Sequence, residues 1–401
     1  MTEMIVDSVT ESKRRRPWRI IWIAGLAAVA AVVGVLVVVV SHRKIPTYQA
    51  DVLSDRGYVD AMAFSPDGKI LAVGEADKTD GPPGIRNADQ GGLSLWDVAG
   101  RRSVATLTLD RRLSYRLRSI ESVAFSPDGK TLAASGIARK ADGAVEEGVW
   151  LWDMANRQNI ATSSLDHRLP FRHGHVQSVA FSPDGKTLAI GGCNTGAANF
   201  PTGGGTWLWD LAGQRNLGTL TAADRCVEYV AFSHNGTTLV STEGGVISSD
   251  SRAQLWDTAS RRLITTVAPG GNGHRIFSSA FSPDGKTLAV GGRIHVTEGG
   301  LWLWDVTRHR KITALPVPDV IVSSLMFSPD GKTLAVGALY TKPADNTSKG
   351  GVWLWDASSH RKIAALTLDR GRFVKSVAFS PDGKTLAIGG EGIGLGRARE
   401  K

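Results

Sequence analysis

The chain has 401 residues, of which 42% are hydrophobic and 21% charged, a globular composition that excludes a wholly disordered protein. Lysine and arginine outnumber aspartate and glutamate by 47 to 38, and the formal charge of +9 is compatible with several kinds of anionic partner. The two cysteines, Cys193 and Cys226, are too few for a disulfide-dense scaffold or a cysteine-based zinc site.

The first element predicted along the chain is a transmembrane helix over residues 20–40. This stretch carries no charged or strongly polar residue, and a helix of its length reaches about 30 Å, the thickness of a bilayer core. Basic residues precede it and only Arg43 and Lys44 follow closely. The positive-inside rule therefore predicts a cytoplasmic tail (1–19), a linker (41–45) and an extracytoplasmic remainder, which makes a single-pass membrane protein. A cleaved signal peptide is the alternative, but the long apolar stretch without a small-residue cleavage site favours an uncleaved signal-anchor.

The rest of the chain contains seven copies of one motif, an apolar segment followed by a turn of the type Phe-Ser-Pro-Asp-Gly-Lys. The phenylalanines of the copies are Phe64, Phe125, Phe181, Phe232, Phe281, Phe327 and Phe379. Six copies lead to a second motif that ends in Trp-Asp, namely Trp96, Asp97, Trp152, Asp153, Trp209, Asp210, Trp256, Asp257, Trp304, Asp305, Trp355 and Asp356. The alternation of short apolar segments and turn residues predicts four strands in each repeat.

These repeats resemble the WD-repeat (WD40) family in its bacterial form, and the resemblance covers residues 46–401. It implies an all-β fold, a seven-bladed β-propeller of four-stranded antiparallel blades around a channel. One departure is the glycine or apolar residue late in the second strand, as in Gly191 and Gly192, where the family has serine or threonine. Most blades are therefore predicted to lack the usual buried polar network and to depend on packing of the indoles.

The seventh repeat has no Trp-Asp. Its tail, residues 392–397, aligns with the third strand of the first repeat, and residues 47–53 align with a fourth strand. We therefore predict that an N-terminal strand closes the last blade and removes an open sheet edge. A truncated chain with an incomplete last blade is the alternative.

Six arginines lie six to nine residues before the motif phenylalanines, where the inner strands are predicted to begin at the channel mouth. They are Arg56, Arg118, Arg172, Arg225, Arg275 and Arg372. We predict that they bind an acidic peptide, a carboxylate or a phosphate. Solvated arginines scattered over a basic surface are the alternative.

Catalytic and metal-binding patterns are weak. His173 and His175 are the only close histidine pair, and no cysteine or carboxylate at ligand spacing completes a metal site beside them. The sequence predicts no enzyme activity, no metal, no cofactor and no nucleic-acid partner. Cys193 and Cys226 fall in adjacent repeats, and the sequence leaves open whether a disulfide joins them.

The resemblance implies a membrane-anchored scaffold or sensing module that binds protein partners through the face with the long loops. A lactonase- or hydrolase-like propeller enzyme is one alternative, and it requires convergent carboxylates, histidines or a metal at the channel mouth. A translocation-assisting propeller of the TolB type is another, because it shares the Ser-Pro-Asp-Gly-Lys turns. The Trp-Asp endings favour the WD-repeat family over it.

Overall fold

All regular structure in the described part of the chain is β-strand. The computed structural model describes residues 48–76, 92–109, 115–140, 143–161, 175–195, 201–220, 225–245, 251–267, 274–294, 299–317, 320–341, 348–367 and 373–398. The first three repeats contain β1 (Tyr48–Phe64), β2 (Ile70–Ala76), β3 (Gly92–Asp97), β4 (Arg102–Leu107), β5 (Tyr115–Phe125), β6 (Thr131–Lys140), β7 (Val145–Asp153), β8 (Gln158–Ala161), β9 (Val176–Phe181), β10 (Thr187–Thr195), β11 (Pro201–Asp210) and β12 (Arg215–Leu220). The remaining repeats contain β13 (Arg225–Phe232), β14 (Thr238–Gly245), β15 (Ser251–Asp257), β16 (Leu263–Val267), β17 (Arg275–Phe281), β18 (Thr287–Arg293), β19 (Gly299–Asp305), β20 (Arg310–Leu315), β21 (Val320–Phe327), β22 (Thr333–Thr341), β23 (Ser348–Asp356), β24 (Lys362–Thr367), β25 (Val374–Phe379) and β26 (Thr385–Ala398).

The described strands form six sheets. The second to sixth repeats each form a separate sheet of four strands, as the turn spacing predicts. The first and seventh repeats share one six-stranded sheet in the order β25-β26-β1-β2-β3-β4. The prediction of a seven-bladed propeller is therefore wrong: the described chain is an all-β propeller with six blades.

The shared sheet arises because two strands continue without a turn. β26 runs on through residues 392–397, the segment predicted as a separate third strand, which contains no Pro or Asp-Gly to break it. β1 likewise includes both the predicted closing strand and the inner strand of the first repeat. The two pair antiparallel, with Tyr48 opposite Ala398 and Val52 opposite Gly394. Both ends of the described chain are thus joined in one ladder.

The predicted membrane anchor finds no counterpart in the described structure. The described residues contain no helix, and therefore no helix that is long and apolar enough to cross a bilayer. Residues 20–40, with the predicted tail (1–19) and linker (41–45), lie outside the described residues. On this finding the predicted single-pass membrane location, with a cytoplasmic N-terminus and an extracytoplasmic propeller, is wrong for the described chain.

The Ser-Pro-Asp-Gly-Lys turns repeat one hydrogen-bond pattern. In the first repeat Ser65 Oγ donates to Asp67 Oδ1 at 2.6 Å, and the backbone N–H of Lys69 donates to the same oxygen at 3.1 Å. These bonds hold the pKa of Asp67 below its usual value. Gly68 has a φ of 71°, which glycine adopts without a steric penalty. The turn chemistry predicted from Pro, Asp and Gly therefore forms as expected.

Indoles fill the interfaces between successive repeats. Trp152 of the second repeat is fully buried among apolar side chains of the first and second repeats. Its Nε1 donates to the carbonyl oxygen of Thr108, in the first repeat, at 3.1 Å. Trp209 packs in the same way against the second repeat, Trp256 against the third and Trp355 against the fifth. Each repeat thus buries apolar surface that it could not bury alone.

Serine hydroxyls of the inner strands add hydrogen bonds between repeats. Ser122 Oγ accepts from the backbone N–H of Val179 at 3.2 Å, and Ser178 Oγ accepts from that of Val230 at 3.1 Å. Two further links of this kind join Ser278 to Leu325 and Ser324 to Val377. The interfaces therefore do contain buried polar contacts. These contacts lie on the inner strands, whereas the network that the sequence predicts to be missing in most blades belongs to the late second strand.

Glycines late in the second strands allow neighbouring repeats to approach closely. A Cβ at Gly291 would collide with Val322 of the next repeat. At Gly292 it would collide with the carbonyl oxygen of Arg275 on the adjoining strand. Gly191-Gly192 in the third repeat shows the same two collisions. Glycine therefore stands where the family has serine or threonine because a side chain would push strands or repeats apart.

Replacing Gly292 with alanine is expected to lower the free energy of unfolding by about 2–3 kcal/mol, because the new Cβ meets backbone atoms that cannot rotate away. Urea unfolding followed by tryptophan fluorescence measures the change. Gly92, in β3, is the matched control, since a Cβ there meets no atom within 4 Å. Its alanine variant should stay within about 0.5 kcal/mol of the parent, and equal losses in the two variants would contradict the steric explanation.

Candidate functional site

Every inner strand has a β-bulge at the same place, four residues before the motif phenylalanine. In the fourth repeat Val227 pairs with Glu243 and Tyr229 pairs with Thr242, which leaves Glu228 out of register. The bulged residues of the seven repeats, called here the bulge ring, are Asp60, Glu121, Gln177, Glu228, Phe277, Ser323 and Lys375. A bulge re-aims a side chain relative to the ladder and is common beside binding sites.

A cavity of about 770 Å³, called here the mouth cavity, opens at the end of the propeller where the inner strands begin. Five members of the bulge ring line it, from the third to the seventh repeat. Its volume lies in the range of pockets that hold a small molecule or a few side chains. Among the described residues no group of three or more histidine, cysteine, aspartate and glutamate side chains could hold a metal ion.

Apolar and polar residues both line the mouth cavity. The apolar residues Phe277, Ile321, Leu339 and Phe373 come from the fifth, sixth and seventh repeats. Polar and charged residues come from every repeat between the third and the seventh, among them Gln177, Arg293 and Lys375. A ligand that fits the cavity therefore needs an apolar part and a polar part next to each other.

Ion pairs of the bulge ring cross repeat boundaries. Arg275 Nη2 lies 2.8 Å from Glu228 Oε1, which joins the fifth repeat to the fourth. Lys375 Nζ lies 3.8 Å from Asp60 Oδ1, within the sheet shared by the seventh and first repeats. Glu121 accepts a hydrogen bond from Ser119 Oγ at 2.9 Å within its own strand. The channel end of the propeller thus carries both signs of charge.

The segment between the second and third strands of the second repeat, residues 137–147, belongs to the long loops expected from the sequence but is in large part strand. Ile137 pairs with Glu147 and Arg139 with Val145, so β6 and β7 extend as a hairpin into the segment predicted as a loop. Glu147 Oε2 lies 2.8 Å from Nδ1 of His175, on the next repeat. This hydrogen bond raises the pKa of His175. The hairpin is therefore fastened to the edge of the mouth cavity.

Asp60 should give the stability of the protein a distinct pH dependence. Burial raises the pKa of its carboxyl from 3.8 to about 6, with Lys375 opposing and Glu121 reinforcing the change. Between these two pKa values the folded protein binds more protons than the unfolded chain. The free energy of unfolding therefore falls as the pH rises from about 4 through 6. We expect Asp60→Asn to gain about 2 kcal/mol relative to the parent between about pH 4 and pH 7.

Urea unfolding of parent and variant across that pH range measures the gain. Asp67→Asn is the control, and it should lower the free energy of unfolding at neutral pH. Hydrogen bonds lower the pKa of Asp67, so its charge stabilises the fold there. A difference between Asp60→Asn and the parent that stays constant with pH would contradict the raised pKa.

The described residues contain only part of the predicted arginine ring. Arg275 lines the mouth cavity and pairs with Glu228. Arg118 and Arg225 lie in β5 and β13 and are partly buried, outside the described lining of the cavity. The side chain of Arg56, and all of Arg172 and Arg372, lie outside the described residues. The bulge ring was not predicted, although a polar residue within an otherwise apolar segment marks it in several repeats.

A disulfide joins Cys193 in β10 to Cys226 in β13, with the Cα atoms 4.6 Å apart. Both residues are almost fully buried and line the mouth cavity. The bond connects the third repeat to the fourth. It answers the question that the sequence leaves open and adds a covalent tie to the wall of the cavity.

Comparison with known proteins identifies the repeat. The family described as "WD domain, G-beta repeat" matches residues 47–79, 167–196 and 214–257. The last of these segments contains a motif phenylalanine and ends at Asp257, after the Trp-Asp turn of the fourth repeat. These three segments of the chain match the WD40 repeat. The recurrent Trp-Asp endings and four-stranded sheets are what the WD40 repeat predicts.

Several WD40-repeat proteins resemble parts of the chain. The small ribosomal subunit protein RACK1 of Caenorhabditis elegans is 28% identical over 36% of this chain and 40% of its own length. WD repeat-containing protein 1 of Xenopus tropicalis is 24% identical over 55% of this chain and 37% of its own length. An uncharacterised WD repeat-containing protein of Synechocystis is 29% identical over 43% of this chain and 41% of its own length. The chain thus spans about two fifths of these relatives, and their mixed origin does not support a bacterial-type subfamily.

Proposed function

We propose that this chain is a non-enzymatic scaffold that binds a protein partner at the mouth cavity. The bulge ring is the observation that carries this proposal. Seven repeats with nearly the same motif present six kinds of side chain at the seven bulged positions. A surface of this kind recognises a partner by a pattern of charge and apolar contact, and function resides in such a site rather than in the fold.

The relatives support the general property. One of them, from Caenorhabditis elegans, is named as a small ribosomal subunit protein and is therefore a component of a larger assembly. Because the matches cover only about two fifths of those proteins, we carry over only the use of a WD40 propeller within an assembly. The proposal does not extend to their particular partners.

The wall of the mouth cavity suggests which part of a partner enters. Phe277, Ile321, Leu339 and Phe373 form an apolar surface against which a partner side chain can pack. Among the predicted arginines whose side chains the structure describes, Arg275 lies beside Phe277 in the lining of the cavity, where it is paired with Glu228. The acidic partner predicted from the sequence therefore stays part of the proposal.

A capture experiment with the full chain tests the proposal. The tagged protein, its Phe277→Ser variant and its Arg310→Ser variant are used to isolate partners from native extract, with identification by mass spectrometry. Arg310 is exposed and lies in β20, just after the short turn at the other end of the propeller. Direct titration with each purified partner then gives the dissociation constants.

The expected result is that Phe277→Ser weakens binding about thirtyfold, as loss of a central aromatic contact does, while Arg310→Ser has no effect. Thermal unfolding of both variants checks that they are folded. Equal affinity of the parent and Phe277→Ser for every partner would overturn the proposed binding site.

A further inference from the structure

Three hydrogen-bond donors meet in the wall of the mouth cavity where the fourth repeat adjoins the fifth. Arg275 and Arg293 stand directly opposite each other on β17 and β18. The backbone N–H of Ser251 donates to the carbonyl oxygen of His274, the neighbour of Arg275, at 2.8 Å. Ser251, Arg275 and Arg293 all line the mouth cavity. These three residues therefore lie close together in the wall of the cavity.

Two of these donors have no hydrogen-bond acceptor among the residues that the structure describes. Ser251 is only 6% exposed, and its Oγ has no hydrogen-bond partner in the described structure. The Nε of Arg293 is also buried and also has no acceptor among the described residues. Buried polar groups in folded proteins are nearly always hydrogen-bonded, because an unpaired one loses its hydration without compensation. Two unpaired donors in one cavity wall indicate that the acceptor comes from a ligand.

The charges at this locality add to a single positive excess. Like charges directly opposite each other on neighbouring strands repel. Glu228 balances Arg275 through the 2.8 Å ion pair described above. Arg252 and Arg225 act on the buried carboxylate of Glu243, next to the Gly244–Ser251 pair, and Arg252 forms an ion pair with it at 3.0 Å. The excess positive charge therefore resides on the guanidinium of Arg293, because Glu228 is paired with Arg275.

We propose that Arg293 and Ser251, with Arg275 beside them, form a subsite for one carboxylate group of the protein partner. The inference rests on the proposed scaffold function and names the chemistry of the group that enters the mouth cavity. A guanidinium and a hydroxyl are suitable donors for the two oxygens of a carboxylate. One excess charge matches a monoanion better than a phosphate dianion, because Glu228 repels the dianion more strongly than the monoanion. The adjoining Phe277 ring gives the aliphatic stem of a glutamate side chain a surface to pack on.

Thermal unfolding of the full chain with defined probes tests the subsite without knowledge of the partner. The probes are sodium acetate, the peptide acetyl-Ala-Glu-Ala-amide and its glutamine counterpart, each compared with sodium chloride at equal ionic strength. At ten times the dissociation constant the glutamate peptide should raise Tm by about 2 °C. The glutamine peptide should leave Tm unchanged. Acetate alone should act only at higher concentration; a shift as large as that of the peptide would assign the subsite to free carboxylates and overturn the partner assignment.

Variants locate the effect. Arg293→Met keeps the length of the side chain and removes its charge, and Ser251→Ala removes the unpaired hydroxyl. Both should lose the shift caused by the glutamate peptide, while Arg310→Met at the other end of the propeller keeps it. No shift in the parent protein, or an undiminished shift in folded Arg293→Met, would overturn the subsite. Partner capture that depends on Phe277 but not on Arg293 would leave the scaffold function standing and reject only this inference.

Discussion

Replacing Trp152 with alanine is expected to lower the free energy of unfolding by about 3–5 kcal/mol. The indole has no exposed surface and fills the interface between the first and second repeats. Alanine leaves a cavity there and also removes the donor that binds the carbonyl oxygen of Thr108. Urea unfolding monitored by circular dichroism measures the loss.

Trp304 provides the matched comparison because it occupies the same Trp-Asp position in the fifth repeat. It is only partly buried, and its Nε1 has no acceptor among the described residues. Trp304→Ala should therefore cost clearly less than Trp152→Ala. Equal losses would mean that the repeat position, rather than burial and the bond to Thr108, determines the contribution of the indole.

Removal of the disulfide is expected to cost about 3–4 kcal/mol. Cys193 and Cys226 are 33 residues apart, so the bond closes a loop of moderate length in the unfolded chain and restricts that state. The double variant Cys193→Ser/Cys226→Ser avoids leaving one free thiol. Its unfolding by urea, compared with that of the oxidised parent, measures the change.

A reductant distinguishes the bond from the side chains themselves. Dithiothreitol should lower the stability of the parent to about that of the double variant and leave the double variant unchanged. A parent protein that is equally stable with and without dithiothreitol would contradict the assignment of a stabilising disulfide to this pair.

The repeated turns made much of the fold predictable. The Pro-Asp-Gly geometry depends only on local chemistry, so the turn at Asp67 and its five Pro-Asp-Gly counterparts could be predicted from five consecutive residues. The four strands of the middle repeats follow, since each turn marks the end of one strand and the start of the next. The number of blades could not be predicted in this way, because it depends on whether β1 and β26 break or continue.

The candidate site was less accessible to sequence reasoning. The arginine ring is predicted from the number of residues between each arginine and the motif phenylalanine. This number gives the position of the arginine along its strand but not the side chains that it contacts. Arg275 reaches the mouth cavity already paired with Glu228, and Arg293 comes from a second strand that the sequence did not mark. The bulges depend on a one-residue mismatch between two strands. The polar residue that marks this mismatch in several repeats does not by itself reveal the shift in pairing.

Because the residues of the bulge ring lie out of register, they can contribute to binding without also maintaining the strand pairing. Residues within the ladder are constrained by the neighbour on the next strand and by the adjoining repeat, as Gly291 and Gly292 show. A bulged residue has no direct partner in the ladder, so its side chain can change without altering the pairing around it. The propeller can therefore acquire a new binding preference by single substitutions at the five bulged positions that line the mouth cavity, while the pairing of its strands stays the same.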